Sequence, residues 1–142
     1  MIGKSSCIFC DVVNGKHQRD SIRFQNENVV VFEDIRPASD YHYLAIPAVH
    51  RNNIKFLNRS DIPIIKEMLK QGLNCLEKNG ADINDCRIGF HWSPFHSINH
   101  IHLHLISPIP TTRKCFCFDK YSPDSYWFKT IDWALDYLEK RP

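Results

Sequence analysis

Short apolar runs bounded by turn residues occur at five places along the chain, and a helical repeat of apolar positions occurs at two. Ser21-Ile22-Arg23-Phe24 and Val29-Val30-Val31-Phe32 read as strands around a turn at Asn26 to Asn28. A proline-containing loop from Asp34 to Asp40 leads to a third strand, Tyr41 to Ile46. Arg87 to His91 gives a fourth strand and Ile98 to Ile106 a fifth. Between the third and fourth, Ile64, Ile65, Met68, Leu69, Leu73 and Leu76 recur at three- and four-residue steps, the stripe of an amphipathic helix. Ser60 is its predicted cap, Pro63 is tolerated in its first turn, and Asn79-Gly80 stops it. Tyr126 to Leu138 predicts a second helix, with Trp127, Ile131, Ala134, Leu135 and Leu138 spaced for burial. Cys7 to Val13 reads as a short helix or turn ended by Asn14-Gly15. Strands joined by short turns predict an antiparallel sheet with a helix on one face, an α+β arrangement.

The fifth strand carries the densest chemistry. His100-Ile101-His102-Leu103-His104-Leu105-Ile106 alternates imidazole with aliphatic side chains. A period of two on a strand places the three imidazoles on one face and Ile101, Leu103 and Leu105 on the other. A helix would scatter the same histidines around its surface. A metal-binding tract or tag would lack the strict aliphatic interleaving. Two residues on a strand span about 6.6 Å, so neighbouring rings meet only if they lean toward each other. Imidazole serves near neutral pH as nucleophile, acid, base or metal ligand.

Composition narrows the setting. The chain has 142 residues, enough for one domain over residues 1–142 with its own core. Its 43% hydrophobic and 24% charged residues are ordinary for a globular protein. A net charge of +2 argues against strong attraction to nucleic acid or membrane, while leaving room for a small anionic ligand. No apolar stretch is long enough to span a bilayer, and Met1 to Ser6 lacks the apolar region of a secretory signal. Cytoplasm or nucleus is the expected location. In such a reducing compartment the six cysteines are expected as thiols or metal ligands rather than disulfides. Cys75 and Cys86 read as small packing residues, and the roles of Cys115 and Cys117 stay open. Cys7-x-x-Cys10 reads as half a zinc site, a redox pair or two small core residues.

The histidine heptad resembles the signature of the histidine triad superfamily, nucleotide hydrolases and transferases whose middle histidine attacks phosphorus. The resemblance extends to Cys7-Ile8-Phe9-Cys10, to Phe32-Glu33-Asp34-Ile35-Arg36-Pro37 and to the strand His42 to Pro47 with Ala48-Val49-His50 after it. Gly89-Phe90-His91, Pro94-Phe95 and Ser125-Tyr126-Trp127-Phe128 resemble the third type of the Hint branch, which neighbours the aprataxins. The resemblance implies a five-stranded antiparallel sheet with a central helix and a carboxyl-terminal helix, and a homodimer that joins two sheets. It implies His102 as nucleophile, His104 as ligand of the phosphoryl oxygens, and Ser97 beside the phosphate or leaving group. Ser97 also reads as a strand-entry hydroxyl. Asp34 is implied as acceptor for the ribose hydroxyls, although it suits the turn as well. Phe9, Val12 and Ile35 fall at positions around the base, where core packing would use the same residue types.

The resemblance also implies His50 and His100 as partners of Cys7 and Cys10 in a structural zinc site, with His100 anchoring the catalytic strand. His42 is implied as a hydrogen-bonding support for the triad. One departure stands out: other Hint proteins carry Gly-Gly-Gln before the serine, and this chain has Ser93-Pro94-Phe95-His96. The leaving-group side therefore differs. His91 and His96 are additional imidazoles there, His96 suited either to leaving-group protonation or to a surface position, while His17 in a polar loop is expected to be inert. The leading expectation is hydrolysis of adenosine 5′-phosphoramidates such as AMP-lysine through a nucleotidyl-histidine. An aprataxin-like deadenylase of nucleic-acid ends is a second reading, disfavoured by the near-neutral charge and by the lack of a following zinc finger. A nucleotide-sensing scaffold is a third, disfavoured by the complete triad.

Overall fold

The computed structural model describes residues 7–92, 98–110, 121–123, 125 and 128–142. One antiparallel sheet organises the chain. Its strands are β1 (Ile22–Gln25), β2 (Val29–Glu33), β3 (Tyr41–Pro47), β4 (Arg87–His91), β5 (Leu103–Ser107) and β6 (Phe128–Thr130), in the order β1-β2-β3-β5-β4-β6. Among the described residues three α-helices accompany it: α1 (Ile8–Val13), α2 (Ile62–Lys78) and α3 (Ile131–Glu139). This is the expected α+β class with one strand more than expected. Among the described residues no helix is long and apolar enough to cross a membrane.

Strand alternation assigns the two faces. Val29 and Val31, Tyr43 and Ala45, and Leu103 and Leu105 point to one face, where they pack with Ile65, Met68 and Leu76 of α2 and Ala134 and Leu138 of α3. The intervening Val30, Phe32, Leu44 and Ile46 point to the other, against Phe9 and Val12 of α1. Each fully buried aliphatic or aromatic side chain contributes on the order of 1.5–3 kcal/mol of transfer free energy. The α2 face therefore supplies most of the cohesion, and the opposite face is free to carry polar groups.

Three boundaries differ from the expectations above. The cap before α2 is Asn58, whose side chain accepts the Ser60 amide while Asp61 accepts the Asn58 amide, a reciprocal box on a short 3-10 turn. Ser60 lies inside that turn and α2 proper begins at Ile62 with Pro63 in its first turn. The strand carrying the histidines begins at Leu103 rather than Ile98, because the stretch before it is pulled out of the ladder: the Ile101 amide bonds the Arg51 carbonyl and the His100 ring bonds the Pro47 carbonyl. The last helix begins at Ile131, capped by the Thr130 hydroxyl. Phe128–Thr130, predicted as helix, instead pairs with β4, with Gly89 opposite Thr130 and His91 opposite Phe128. An open strand edge gains backbone hydrogen bonds this way, which outweighs three residues of helical propensity. Tyr126 and Trp127 lie outside the described residues.

Gly89 makes that pairing possible. A Cβ there would strike the Lys129 carbonyl and the Phe128 ring. Gly89→Val is expected to lower stability in chemical denaturation by about 1–3 kcal/mol, the usual cost of overpacking, and to raise hydrogen exchange at Lys129 and Thr130. Parent-like stability would show that β6 contributes nothing to the sheet.

Candidate active site

A cavity of about 310 Å³ opens on the α1 face of the sheet. Phe9 of α1, Phe32 of β2, Asp34 and Ile35 after β2, Leu44 of β3, His91 of β4, and His102 and His104 on and before β5 line it. Tyr121 closes one side. Phe9, His91, His102, His104 and Tyr121 are each less than a tenth exposed. The register puts His104 between Leu44 of β3 and Gly89 of β4, at the centre of the sheet. The side chain that Gly89 lacks leaves space beside that ring for Phe128.

The triad rings do share the α1 face, with Ile101, Leu103 and Leu105 buried on the other. They also lean: the His102 and His104 ring centres are 5.0 Å apart. Phe9 meets both His100 and His102 edge-on, at 6.0 and 5.0 Å.

Hydrogen bonds fix a different proton arrangement on each ring. His102 Nδ1 lies 2.8 Å from the carbonyl oxygen of His100. A carbonyl only accepts, so Nδ1 holds the hydrogen and Nε2 keeps the lone pair. The chain of bonds to His104 starts at the Ala38 backbone amide, which donates to His42 Nδ1 at 2.9 Å. His42 Nε2 therefore carries its hydrogen, and it sits 2.9 Å from His104 Nδ1 and 3.3 Å from Asp34 Oδ2. His104 Nδ1 accepts, which leaves the His104 hydrogen on Nε2. A nucleophilic imidazole and a donor imidazole thus stand side by side on one wall.

His100 has a third arrangement. Its Nε2 donates to the Pro47 carbonyl at 3.0 Å, turning the Nδ1 lone pair toward Cys7 Sγ at 3.3 Å, Cys10 Sγ at 3.6 Å and His50 Nδ1 at 3.1 Å. Burial pulls its pKa down to about 4, against the opposing effect of the Pro47 bond, so the ring is neutral. His50 Nε2 bonds Asn52, which turns the His50 Nδ1 inward. Cys7 caps α1 and Cys10 closes its first turn. The four ligand atoms all lie within 4.8 Å of one another. A tetrahedral zinc ion with ordinary bond lengths separates its ligands by about 3.3–3.8 Å. The cluster fits a closed metal site.

Several positions read from the sequence meet here. Asp34 lines the cavity, and its Oδ1 accepts the Arg36 amide at 2.8 Å. Ile35 is on the cavity rim and 73% exposed, available to a flat ligand. Val12 is fully buried behind Phe9 and Phe32 and does not line the cavity. Ser97 and His96, with Cys115 and Cys117, lie outside the described residues. His17, expected to be inert, is on the cavity wall beside Gln18, whose left-handed backbone (φ 54°) turns the loop back toward the site. His91, read from the sequence as an additional imidazole at this edge, stands on the cavity wall, and Tyr121 is a wall residue that pattern reasoning did not place. No disulfide joins the described cysteines.

Residues 6–116 match the family described as scavenger mRNA decapping enzyme C-term binding. The chain is 42% identical over 141 residues to the adenosine 5′-monophosphoramidase HINT3 of Mus musculus, covering 96% of this chain and 83% of that one. Its structure resembles a HIT family hydrolase from Legionella pneumophila, with TM-score 0.69 and 27% identity over 76% of this chain and 97% of that one. It shares a fold with a Zn-bound histidine triad protein from Mycobacterium smegmatis, with TM-score 0.61 and 22% identity over 94% and 93% of the two chains. The chain belongs to the histidine triad family.

The proton arrangement is directly measurable. Long-range ¹⁵N–¹H correlation at neutral pH is expected to show His102 protonated on Nδ1 and His42 and His104 on Nε2. The same tautomer on His102 and His104 would contradict the bond pattern.

Proposed function

We propose that this protein hydrolyses adenosine 5′-phosphoramidates, in which AMP is joined through a P–N bond to an amine such as a lysine side chain. The observation that carries the reading is the pair of opposite tautomers on His102 and His104 facing one cavity. The named activity of the mouse relative supports the substrate class.

The reaction runs in two displacements. His102 Nε2 attacks phosphorus in line with the leaving nitrogen. Positive charge develops on the ring, and the carbonyl of His100 holding Nδ1–H stabilises it. His104 Nε2–H donates to a non-bridging phosphoryl oxygen, where negative charge concentrates. Ser97 assists on the phosphate or leaving-group side. Water then attacks the nucleotidyl-histidine, releasing AMP and restoring the ring. Asp34 receives the ribose hydroxyls, and Phe9 and Ile35 flank the base. His102→Asn is expected to lower turnover of a fluorogenic adenosine phosphoramidate on the order of 10³-fold or more, with AMP still bound in calorimetry. Near-parent turnover would refute the mechanism.

Cys7, Cys10, His50 and His100 hold a zinc ion, one per chain. With all four positions taken by protein, its contribution is to tie the amino-terminal helix to the catalytic strand. Two thiolates balance the charge of a divalent ion, and thiolate with imidazole is the donor set zinc favours. Elemental analysis of protein prepared without chelator should find about one zinc per chain. Cys7→Ser/Cys10→Ser should abolish it and cost more stability than the about 1 kcal/mol of an ordinary substitution. Zinc-free protein, with the variant melting like the parent, would make the cluster ordinary packing.

The protein acts as a homodimer in the cytoplasm or nucleus. The family resemblance supports the dimer, and thiol ligands suit a reducing compartment.

A further inference from the structure

The proposed reaction breaks a P–N bond, and an alkylamine leaves only when its nitrogen gains a proton. The triad supplies none. His102 Nδ1–H is held by the His100 carbonyl while Nε2 becomes bonded to phosphorus. His104 Nδ1 faces an N–H of His42, whose own Nδ1 is committed to the Ala38 amide. A second proton on His104 would set two N–H groups against each other at 2.9 Å. His104 therefore stays neutral, and surrendering its Nε2 proton would leave an imidazolate. The His100 ring belongs to the cysteine cluster.

Among the described residues the cavity wall offers five other titratable side chains: His17, Asp34, Arg36, His91 and Tyr121, of which Arg36 holds its proton too tightly to give it up. Asp34 is a carboxylate engaged with the Arg36 amide and facing His42. Tyr121 is a weaker acid than an ordinary phenol, because burial, then Asp34, raises its pKa. His17 adjoins Gln18, which bonds the Glu33 carbonyl next to Asp34, at the ribose end of the wall. His91 is different. Its ring centre is 4.7 Å from that of His104, the ring assigned to the phosphoryl oxygens. It stands on β4, immediately before the segment where the sequence departs from other Hint proteins. Tyr121 at 5.0 Å and Phe128 at 5.3 Å hold it, and both lie beyond the stretch that matches the family model.

We propose that His91 donates the proton to the leaving nitrogen and, in the second step, accepts one from the attacking water. The proposal rests on the reading of the chain as a phosphoramidase. In the first step the bond from His102 Nε2 to phosphorus forms, the P–N bond breaks with its electron pair going to nitrogen, and the His91 imidazolium gives its proton to that nitrogen. The products are a neutral amine, neutral His91 and nucleotidyl-His102. In the second step water gives a proton to His91 and its oxygen bonds phosphorus, the bond to His102 breaks, and AMP leaves with His91 again protonated. Among the described residues, His104, Tyr121 and Phe128 face His91, with His42 behind Tyr121 and His104. The phosphate of the bound substrate supplies negative charge that favours the imidazolium.

The test compares leaving groups. The parent, His91→Gln and His96→Asn proteins are assayed on an adenosine phosphoramidate of an alkylamine and on the 4-nitrophenyl ester of AMP. The nitrophenolate departs without a proton. For His91→Gln, kcat/KM on the alkylamide should fall by about 10²–10⁴-fold, the range for losing a general acid, and by much less on the ester. The alkaline limb of the parent's pH profile on the alkylamide, where the imidazolium is lost, should flatten as well. Equal losses on both substrates, or none, would overturn the assignment, as would a selective loss in His96→Asn instead. His91→Asn repeats the comparison if the Gln variant does not fold. A parent protein inactive on both substrates would defeat the phosphoramidase reading and this proposal with it; an active parent with equal losses would defeat this proposal alone.

Discussion

A backbone N–H can only donate, and that constraint at Ala38 propagates through the site. Its bond to His42 Nδ1 places the His42 hydrogen on Nε2. That nitrogen reaches His104 Nδ1, so the His104 hydrogen must point the other way. Backbone carbonyls, which only accept, impose the mirror condition on His100 and His102. Three chemically identical side chains therefore leave the fold with three different functions: a lone pair toward thiols, a lone pair toward the cavity and a hydrogen toward the cavity. Each assignment costs nothing to prepare at the moment of reaction, which is the advantage of electrostatic preorganisation. Burial pulls the His100 pKa down, and the bond from its Nε2 to the Pro47 carbonyl offsets part of that desolvation.

The alternation of the sheet lets this happen without weakening the core. Leu103 and Leu105 secure β5 against α2 while His104 between them faces the cavity. Gly72 of α2 allows the closest approach, since a Cβ there would come within 2.6 Å of Leu105. The strand is thus held from behind by apolar contact and in register from both sides by β3 and β4. A ring on such a strand has little freedom left in its backbone, and its side-chain direction is completed by Phe9 and Tyr121.

What could be read from the sequence follows from which signals are local. Periodicity gave α2 and the facing of the triad, because both depend on spacing within one element. It failed at Phe128–Thr130, where pairing with the distant β4 edge overrode a helical pattern, and at Ile98–His102, where bonds to Pro47 and Arg51 removed residues from the ladder. The cysteine pair was legible as half a metal site, but His50 and His100 came from resemblance, since no spacing rule links positions 7, 50 and 100. Tyr121 had no local signal at all. It follows a stretch without periodicity, and its role as a wall exists only after the chain has folded across β4. The place of His17 on the cavity wall had no local signal either, because a polar loop gives no hint that a left-handed residue after it will turn it inward.

The two ends of the chain meet the site from opposite sides, and this shapes its chemistry. α1 brings Phe9 over the triad and, one residue on, Cys10 into the thiol–imidazole cluster. A helix of six residues is too short to persist by itself. Its position depends on burial of Phe9 and Val12 and on the links from Cys7 and Cys10 to His50 and His100. The wall that Phe9 forms is therefore coupled to that cluster, and loosening one should loosen the other. The opposite wall has no such clamp. It is built by β6 pairing on β4 and by aromatic contacts among His91, Tyr121 and Phe128. A pocket with one wall linked to the thiol–imidazole cluster and the other held by aromatic contacts is an arrangement in which the two walls can change separately while the triad between them stays fixed.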